Sequence, residues 1–162
     1  MTPTADDDSR ALRTLRVRRG TGRLLHREGW AWVAEFPLAS GHRADLLAVD
    51  ARGRILLVEI KSCLADLRAD GKWPAYRAWC DLFAFAVPED FPRAALPAET
   101  GVVVSDGFEA EWLRPPPERR LAPARRRALL LAFARTAAYR LARLSEPDPA
   151  TGTAPASQHS IR

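Results

Sequence analysis

Cysteine is almost absent from this chain, and so are the long apolar runs of membrane proteins. Only Cys63 and Cys80 occur among 162 residues. Their spacing is not that of a zinc-binding pair, so neither a structural zinc site nor a disulfide framework is expected. No apolar run is long enough to span a bilayer, and no charged and then apolar signal segment opens the sequence. We therefore expect a cytoplasmic chain with no membrane partner.

Lysine is equally scarce, although the chain is basic. Lysine and arginine together number 25, and the formal net charge is +5, which favours a polyanionic partner such as nucleic acid. Arginine supplies nearly all of this charge, and lysine occurs only at Lys61 and Lys72. Because an ammonium is a compact point charge and a guanidinium is a planar fork, these two positions are candidates for roles that need the ammonium itself.

The order of helical and strand patterns predicts a single α/β domain, and 47% apolar residues is enough for one core. The predicted elements are a helix over Arg10–His26, strands over Trp30–Phe36, Arg43–Val49, Ile55–Ile60, Phe83–Val87, Gly101–Ser105 and Phe108–Leu113, and helices over Pro74–Leu82 and Pro123–Leu144. Gly20 and Gly22 are candidate interruptions of the first helix. We predict a domain over residues 10–144 with a central mixed sheet of four or five strands flanked by helices, and disorder in residues 1–9 and 145–162.

The most informative stretch is the hairpin formed by the second and third predicted strands. Both strands are rich in aliphatic residues, and Gly53 suits the positive-φ position of a short hairpin turn. If Val49 faces Ile55, the register of the two strands is fixed. Because aliphatic residues occupy both faces, we expect this part of the sheet to be covered on both sides.

This register places Asp45 opposite Glu59 and puts Lys61 on the same face of the sheet. Two adjacent carboxylates repel each other, and their burial is costly. A divalent cation between them would offset that cost, and the lysine would then hold a phosphate or an attacking water. The alternative is a ladder of ion pairs on an exposed sheet face.

Other acidic and basic residues are weaker candidates. Glu35 is a candidate third carboxylate, with Glu28 as a poorer rival, and the alternative for Glu35 is a surface position at a strand end. Lys72 is a candidate phosphate or carboxylate contact, and otherwise a solvated loop lysine. Asp66 and Asp70 either extend the acidic cluster or form the turn before Gly71.

Five arginines are candidate contacts to the phosphate backbone of a nucleic acid. They are Arg18 and Arg19 in the first helix, Arg43 at the start of the hairpin, and Arg125 and Arg126 in the last helix. Arginines of this kind position a duplex without reading its sequence. The alternative for the two helices is an ordinary solvated face.

The order of these elements, with an aspartate strand followed by a Glu-x-Lys strand, resembles the core of PD-(D/E)XK nucleases, the fold of restriction endonucleases. Four stretches carry a wider likeness: RRG near the start, GHRADLLAV, VEIKSCLADLRADGKWPAYRAWCDLFAFAV and FARTAAYRLARL. Together they resemble the MmcB family of bacterial DNA repair proteins, over nearly everything from Arg10 to Leu144. Two departures are Ala44, where the nuclease motif has proline, and Cys63, where the family pattern suggests serine.

The resemblance implies a restriction-endonuclease-like fold and a metal-dependent nuclease that acts on DNA during repair. Asp45 and Glu59, with Glu35 as a third ligand, would then bind Mg²⁺ or Mn²⁺, and Lys61 and Lys72 would be catalytic. The resemblance also allows a second interpretation, a module that binds DNA or docks other repair proteins and has little activity of its own. RNA as substrate and the oligomeric state stay open at this point.

Overall fold

The computed structural model describes residues 5–146, and it has a mixed α/β fold in which helices flank a six-stranded sheet. The helices are α1 (Ala5–Arg27), α2 (Leu64–Ala69), α3 (Trp73–Tyr76) and α4 (Pro123–Ser145), and the strands are β1 (Ala31–Pro37), β2 (Arg43–Val49), β3 (Ile55–Ile60), β4 (Leu82–Pro88), β5 (Gly101–Ser105) and β6 (Ala110–Arg114). Short 3₁₀ turns occupy Arg77–Trp79 and Arg93–Ala95. No helix within this described range carries an apolar stretch able to cross a membrane.

The sheet is mixed, and its strands lie in the order in which they occur along the chain. Strands β1, β2 and β3 form an antiparallel meander, β3, β4 and β5 are parallel, and β6 pairs antiparallel with β5. The prediction of four or five strands was therefore too low. The edge strand is the short β6, at the place of the predicted strand Phe108–Leu113, and its burial alternates because one of its faces meets solvent.

The sheet separates two hydrophobic cores. Helix α1 packs on one face, where Val17 and Leu25 meet Leu56 and Val58 of β3. Helices α3 and α4 cover the other face, where Tyr76 and Leu129 lie among the alternate strand residues. Strand β3 is buried along its whole length, as expected for a strand covered on both sides.

Two glycines inside α1 allow the helix to approach the sheet closely. A Cβ atom at Gly22 would lie 2.5 Å from the ring of Trp32, and one at Gly20 would lie 2.6 Å from the carbonyl oxygen of Glu109 and closer still to Ser105. The predicted interruption of the helix at these positions was wrong, because the glycines serve packing and not chain reversal.

Several predicted boundaries also differ from the structure. Helix α1 begins at Ala5, so residues 5–9 are helical, and acidic residues are favourable in a first turn. The segment Leu64–Ala69 is a helix, although Asp66, Asp70 and Gly71 predicted a loop there. The helix predicted over Pro74–Leu82 is only one turn of α-helix followed by a 3₁₀ turn. Of the predicted disordered ends, residues 1–4 and 147–162 lie outside the described residues.

Candidate functional site

The predicted hairpin register is confirmed, since Val49 pairs with Ile55 and Leu47 with Leu57. Gly53 has the positive φ of 75° that the turn requires. Continued by two residues, the same register brings Asp45 of β2 beside Glu59 of β3.

Here the carboxylates of Asp45 and Glu59 accept hydrogen bonds from backbone N–H groups of the opposite strand. The N–H of Ile60 donates to Oδ2 of Asp45 at 2.7 Å, and the N–H of Asp45 donates to Oε1 of Glu59 at 3.4 Å. Each strand thus presents its carboxylate to the backbone of the other. The second bond is long, so Glu59 is poorly satisfied for a group that is only 5% exposed.

Burial and mutual repulsion disfavour negative charge on this pair. Burial and the nearby charge of Asp45 raise the pKa of Glu59 to about 8. Burial also raises the pKa of Asp45, against the opposing effects of the Ile60 N–H and the Lys61 charge. The site therefore holds two carboxyl groups that ionise reluctantly in the absence of a further cation.

Lys61 follows the pair and is itself only 8% exposed. Its Nζ lies 3.8 Å from Oε2 of Glu59 and 2.5 Å from Oδ2 of Asp70. Although burial opposes ionisation of Asp70, the hydrogen bonds from Lys61 and from the N–H of Lys72 hold its pKa below the ordinary value. Asp70 was a weak candidate from sequence, and the structure makes it the direct partner of the lysine.

Glu35 lies in β1 across from Asp45, with a backbone φ of 51° that is unusual for a residue other than glycine. The β1–β2 pairing skips this residue, and Arg140 of α4 donates to its carbonyl oxygen at 3.0 Å and to that of Ala34. The strand register sets Glu35 opposite Asp45, and the negative charge of Glu35 contributes to the raised pKa of Asp45. Arg140 was not identified from sequence, because its partner lies about a hundred residues away.

The carboxylate of Glu35 meets two of the predicted nucleic-acid-binding arginines. Its Oε2 lies 2.6 Å from Nε of Arg43, and its Oε1 lies 3.5 Å from Arg18. The first contact is not aligned as a hydrogen bond, and the buried Oε2 has no hydrogen-bond partner. Glu28, the rival candidate, accepts a hydrogen bond from Trp112 on β6, away from the acidic pair.

Lys72 and Tyr76 flank the site from the segment after Asp70. Lys72 is exposed and precedes α3, next to the aspartate that pairs with Lys61. Tyr76 is buried and donates its hydroxyl to the carbonyl oxygen of Arg43 at 3.2 Å. Burial, together with the negative charges of Glu59 and Asp70, raises the pKa of this phenol.

The remaining predicted arginines lie elsewhere. Arg19 is exposed on α1. Arg125 donates to the carbonyl oxygen of Ala78 and lies over the ring of Trp79. Arg126 is held by the buried Asp81 through bonds of 2.7 and 2.6 Å. The five arginines that were predicted to contact phosphates are therefore divided between the two ends of the sheet.

The carboxylates of the acidic pair are the type of ligand that a hard divalent cation prefers, but they do not by themselves form a complete metal site. Carboxylate oxygens are the ligands that Mg²⁺ and Mn²⁺ prefer, and Oε2 of Glu35, which forms an ion pair with Arg43 but no hydrogen bond, is a further carboxylate oxygen nearby. Within residues 5–146, however, no three Asp, Glu, His or Cys side chains are set together as a metal-binding group. Asp45 and Glu59 would hold the ion, and Glu35 would join them only by turning from Arg43.

Comparison with known proteins gives one family and one structural relative. The chain is similar to a protein of unknown function from Silicibacter pomeroyi, SPO1766, at 43% identity and a TM-score of 0.81, over 84% of this chain and 93% of that one. No curated protein matches. The family model "DNA repair protein MmcB-like" matches residues 1–148. The chain therefore belongs to the MmcB-like family of DNA repair proteins.

Proposed function

We propose that this protein is a metal-dependent nuclease of the PD-(D/E)XK type that hydrolyses DNA phosphodiester bonds during repair. The observation that carries the proposal is the half-buried Asp45 beside the buried, poorly satisfied Glu59, next to Lys61. A pair of this kind costs stability unless a cation or a proton neutralises it. Pairs with perturbed pKa values are concentrated at functional sites.

The rigid hairpin sets the positions of the two carboxylates. A bound Mg²⁺ or Mn²⁺ would supply Lewis-acid polarisation of the phosphate and a water of lowered pKa. Asp45 and Glu59 would hold that ion, and their backbone hydrogen bonds fix where their remaining lone pairs point. Both ligands sit on strands, which positions them more firmly than loops would.

Lys61 is proposed to stabilise the negative charge that develops on the phosphate. Its Nζ is 3.8 Å from Glu59, so it stands beside any group that the carboxylates bind. Asp70 holds the ammonium at 2.5 Å and fixes its orientation. Lys72, exposed next to Asp70, would contact a flanking phosphate.

Arg18, Arg19 and Arg43 are proposed to guide the DNA backbone to this edge of the sheet. Arg43 is 68% exposed even though it pairs with Glu35, so it is able to exchange the carboxylate for a phosphate. Contacts of this type supply affinity that falls with salt and carry no sequence preference.

A cleavage assay tests the proposal. Labelled single-stranded, duplex, nicked and flapped DNA are incubated with wild type, Asp45→Ala, Lys61→Ala and the control Asp106→Ala, with Mg²⁺, Mn²⁺ or a chelator. Asp106 is an exposed aspartate of the β5–β6 turn. We expect cutting by wild type and Asp106→Ala alone, abolished by the chelator. Metal-dependent cutting by purified Asp45→Ala would refute the assignment.

One observation favours the second candidate, a DNA-binding or partner-docking module with little catalytic activity. Lys61 is already engaged by Asp70, and the described residues offer no complete metal-binding group. Thermal unfolding with and without Mg²⁺ separates the two functions. A nuclease site predicts stabilisation by the ion that disappears in Glu59→Ala, whereas a docking module predicts no stabilisation of either protein.

A further inference from the structure

Every charged residue of helix α4 is an arginine. Its six arginines are accompanied by no aspartate or glutamate, and they are Arg125, Arg126, Arg127, Arg135, Arg140 and Arg143. Three of these lie in the first turns, where the helix dipole disfavours positive charge. The helix also lacks the carboxylates that would support it through pairs four residues apart. Helix stability alone therefore does not account for this composition.

Three of the six arginines contact the rest of the protein, and three lie on an exposed ridge. Arg126 and Arg140 donate hydrogen bonds to the protein, at Asp81 and at the β1 carbonyls, and Arg125 covers Trp79. The other three lie on an exposed ridge of residues four apart: Arg127, Leu131, Arg135, Tyr139 and Arg143. Within residues 5–146, no carboxylate forms an ion pair with the ridge arginines.

Two apolar side chains interrupt the ridge. Leu131 and Tyr139 are 63% and 62% exposed, and the guanidinium of Arg135 lies 5.7 Å from the centre of the Tyr139 ring. These exposed apolar groups lie between arginines that form no ion pair within the described part of the chain, so they are available to contact a bound polyanion. The ring of Tyr139 also offers a flat face. This alternation is typical of surfaces on which bases stack while arginines hold the phosphates.

The ridge begins at a basic groove. Arg127 lines a groove of about 870 Å³ together with the exposed Arg52 and Arg120, and the buried Asp81–Arg126 pair forms part of its wall. The groove lies by the β2–β3 turn, because Arg126 also donates to the carbonyl oxygen of Gly53 at 2.7 Å. It is thus at the end of the hairpin opposite to Asp45 and Glu59.

The ridge ends at the candidate catalytic edge. Arg140, one turn before Arg143, contacts the backbone of Glu35 across from Asp45. A helix of 23 residues spans about 34 Å, so α4 reaches from the distal groove to the strand that carries Glu35, and its row of residues four apart winds partly around the helix. The ridge therefore forms a basic path from the groove towards the β1 side of the candidate site.

We propose that this path binds single-stranded nucleic acid, with phosphates on Arg127, Arg135 and Arg143 and unpaired bases on Tyr139 and Leu131. A duplex would hide the base faces that the two apolar side chains require. The inference extends the proposed nuclease function by assigning it substrates with an unpaired arm. Binding along α4 does not itself require cleavage.

Fluorescence anisotropy in EDTA tests the path separately from catalysis. The probes are labelled oligothymidylate of about 20 nucleotides, longer than the site of one small binding domain, the matching duplex, and oligouridylate of equal length. The variants are Arg127→Ala/Arg135→Ala, Tyr139→Ala and Tyr139→Phe. The control Arg23→Ala/Arg93→Ala removes the same charge from exposed positions outside α4, and circular dichroism verifies that each variant is folded.

We expect single strands to bind more tightly than the duplex. The ridge double variant should bind about tenfold more weakly, and its dependence of log affinity on log salt should flatten by about 1.4. Tyr139→Ala should lose about fivefold or more, whereas Tyr139→Phe, which keeps the ring, should bind like wild type even if no cleavage is found. Tighter binding of either oligothymidylate or oligouridylate than of the duplex supports the path, and a preference between the two shows whether it favours the DNA or the RNA strand.

Three results would overturn the proposal. One is an equal loss of affinity in the control double variant, and another is preferential binding of the duplex. The third is displacement of the oligonucleotide by polyglutamate at equal charge concentration, which would make an acidic polypeptide the occupant of α4.

Discussion

Glu59→Gln is expected to stabilise the folded protein, by an amount that grows as the pH rises. In the folded chain burial and Asp45 raise the pKa of Glu59 from 4.5 to about 8. Between these two values the folded state keeps a proton that the unfolded chain releases, so the free energy of unfolding of wild type falls with increasing pH. Glutamine has no proton to lose, and it still accepts the hydrogen bond from the N–H of Asp45.

The size of the effect follows from the pKa. At 1.36 kcal/mol per pH unit, a rise from 4.5 to about 8 corresponds to roughly 5 kcal/mol against the ionised form. This is an upper limit, because Asp45 shares the repulsion and relaxes when its neighbour loses its charge. We therefore expect Glu59→Gln to be more stable than wild type by about 2–3 kcal/mol at pH 8 and above, and to differ little below pH 4.5.

Urea unfolding between pH 4.5 and 8.5 measures this difference, with EDTA present so that no metal neutralises the pair. Glu111→Gln is a matched control, since Glu111 is exposed on β6, and its stability should follow that of wild type at every pH. If the advantage of Glu59→Gln does not grow across this pH range, the carboxylate is not held in a costly environment. The central argument for a metal site would then fail.

Three further changes test the surroundings of the site. Asp81→Ala should destabilise the protein by about 2–5 kcal/mol in urea unfolding, because it removes the acceptor of two buried backbone N–H groups and of the half-buried guanidinium of Arg126, whereas Asp106→Ala at an exposed turn should cost about 1 kcal/mol. Gly20→Ala should lower the thermal midpoint despite its better helix propensity, through overpacking worth about 1–3 kcal/mol; an unchanged midpoint would mean that α1 does not lie so close to the sheet. Asp70→Asn should reduce cleavage while leaving single-strand binding intact, because it releases the ammonium of Lys61; cleavage at the wild-type rate would show that Asp70 has no positioning role.

The parts of the fold that sequence predicted well are those with local causes. The hairpin boundaries and register follow from aliphatic alternation and from one glycine that must adopt positive φ, and both are present within about twenty residues. The long helix α4 has an equally local cause in its apolar spacing and its early proline. Asp45, Glu59 and Lys61 could be grouped because the register of one hairpin fixes all three.

The features that sequence missed depend on contacts between distant segments. Gly20 looks like a helix breaker until β5 and β6 are placed against it. Asp70 looks like a turn former until the chain returns it to Lys61, and Arg140 has no visible partner until α4 lies over β1. Arg126 was grouped with surface arginines, although Asp81 holds it inside the protein. Periodicity and turn chemistry carry no information about such pairings.

Asp81 and Glu59 are both buried carboxylates, but their hydrogen bonding is very different. Asp81 accepts hydrogen bonds from the N–H groups of Ile55 and Leu121 and two from Arg126, and although burial opposes ionisation, these bonds keep its pKa below the ordinary value. Glu59 is nearly as buried but accepts one long backbone bond beside a second carboxylate. This fold is thus able to satisfy a buried acid when stability is the requirement. The poorly satisfied Glu59 beside Asp45 therefore supports a role in which a positively charged group from outside the chain completes the site.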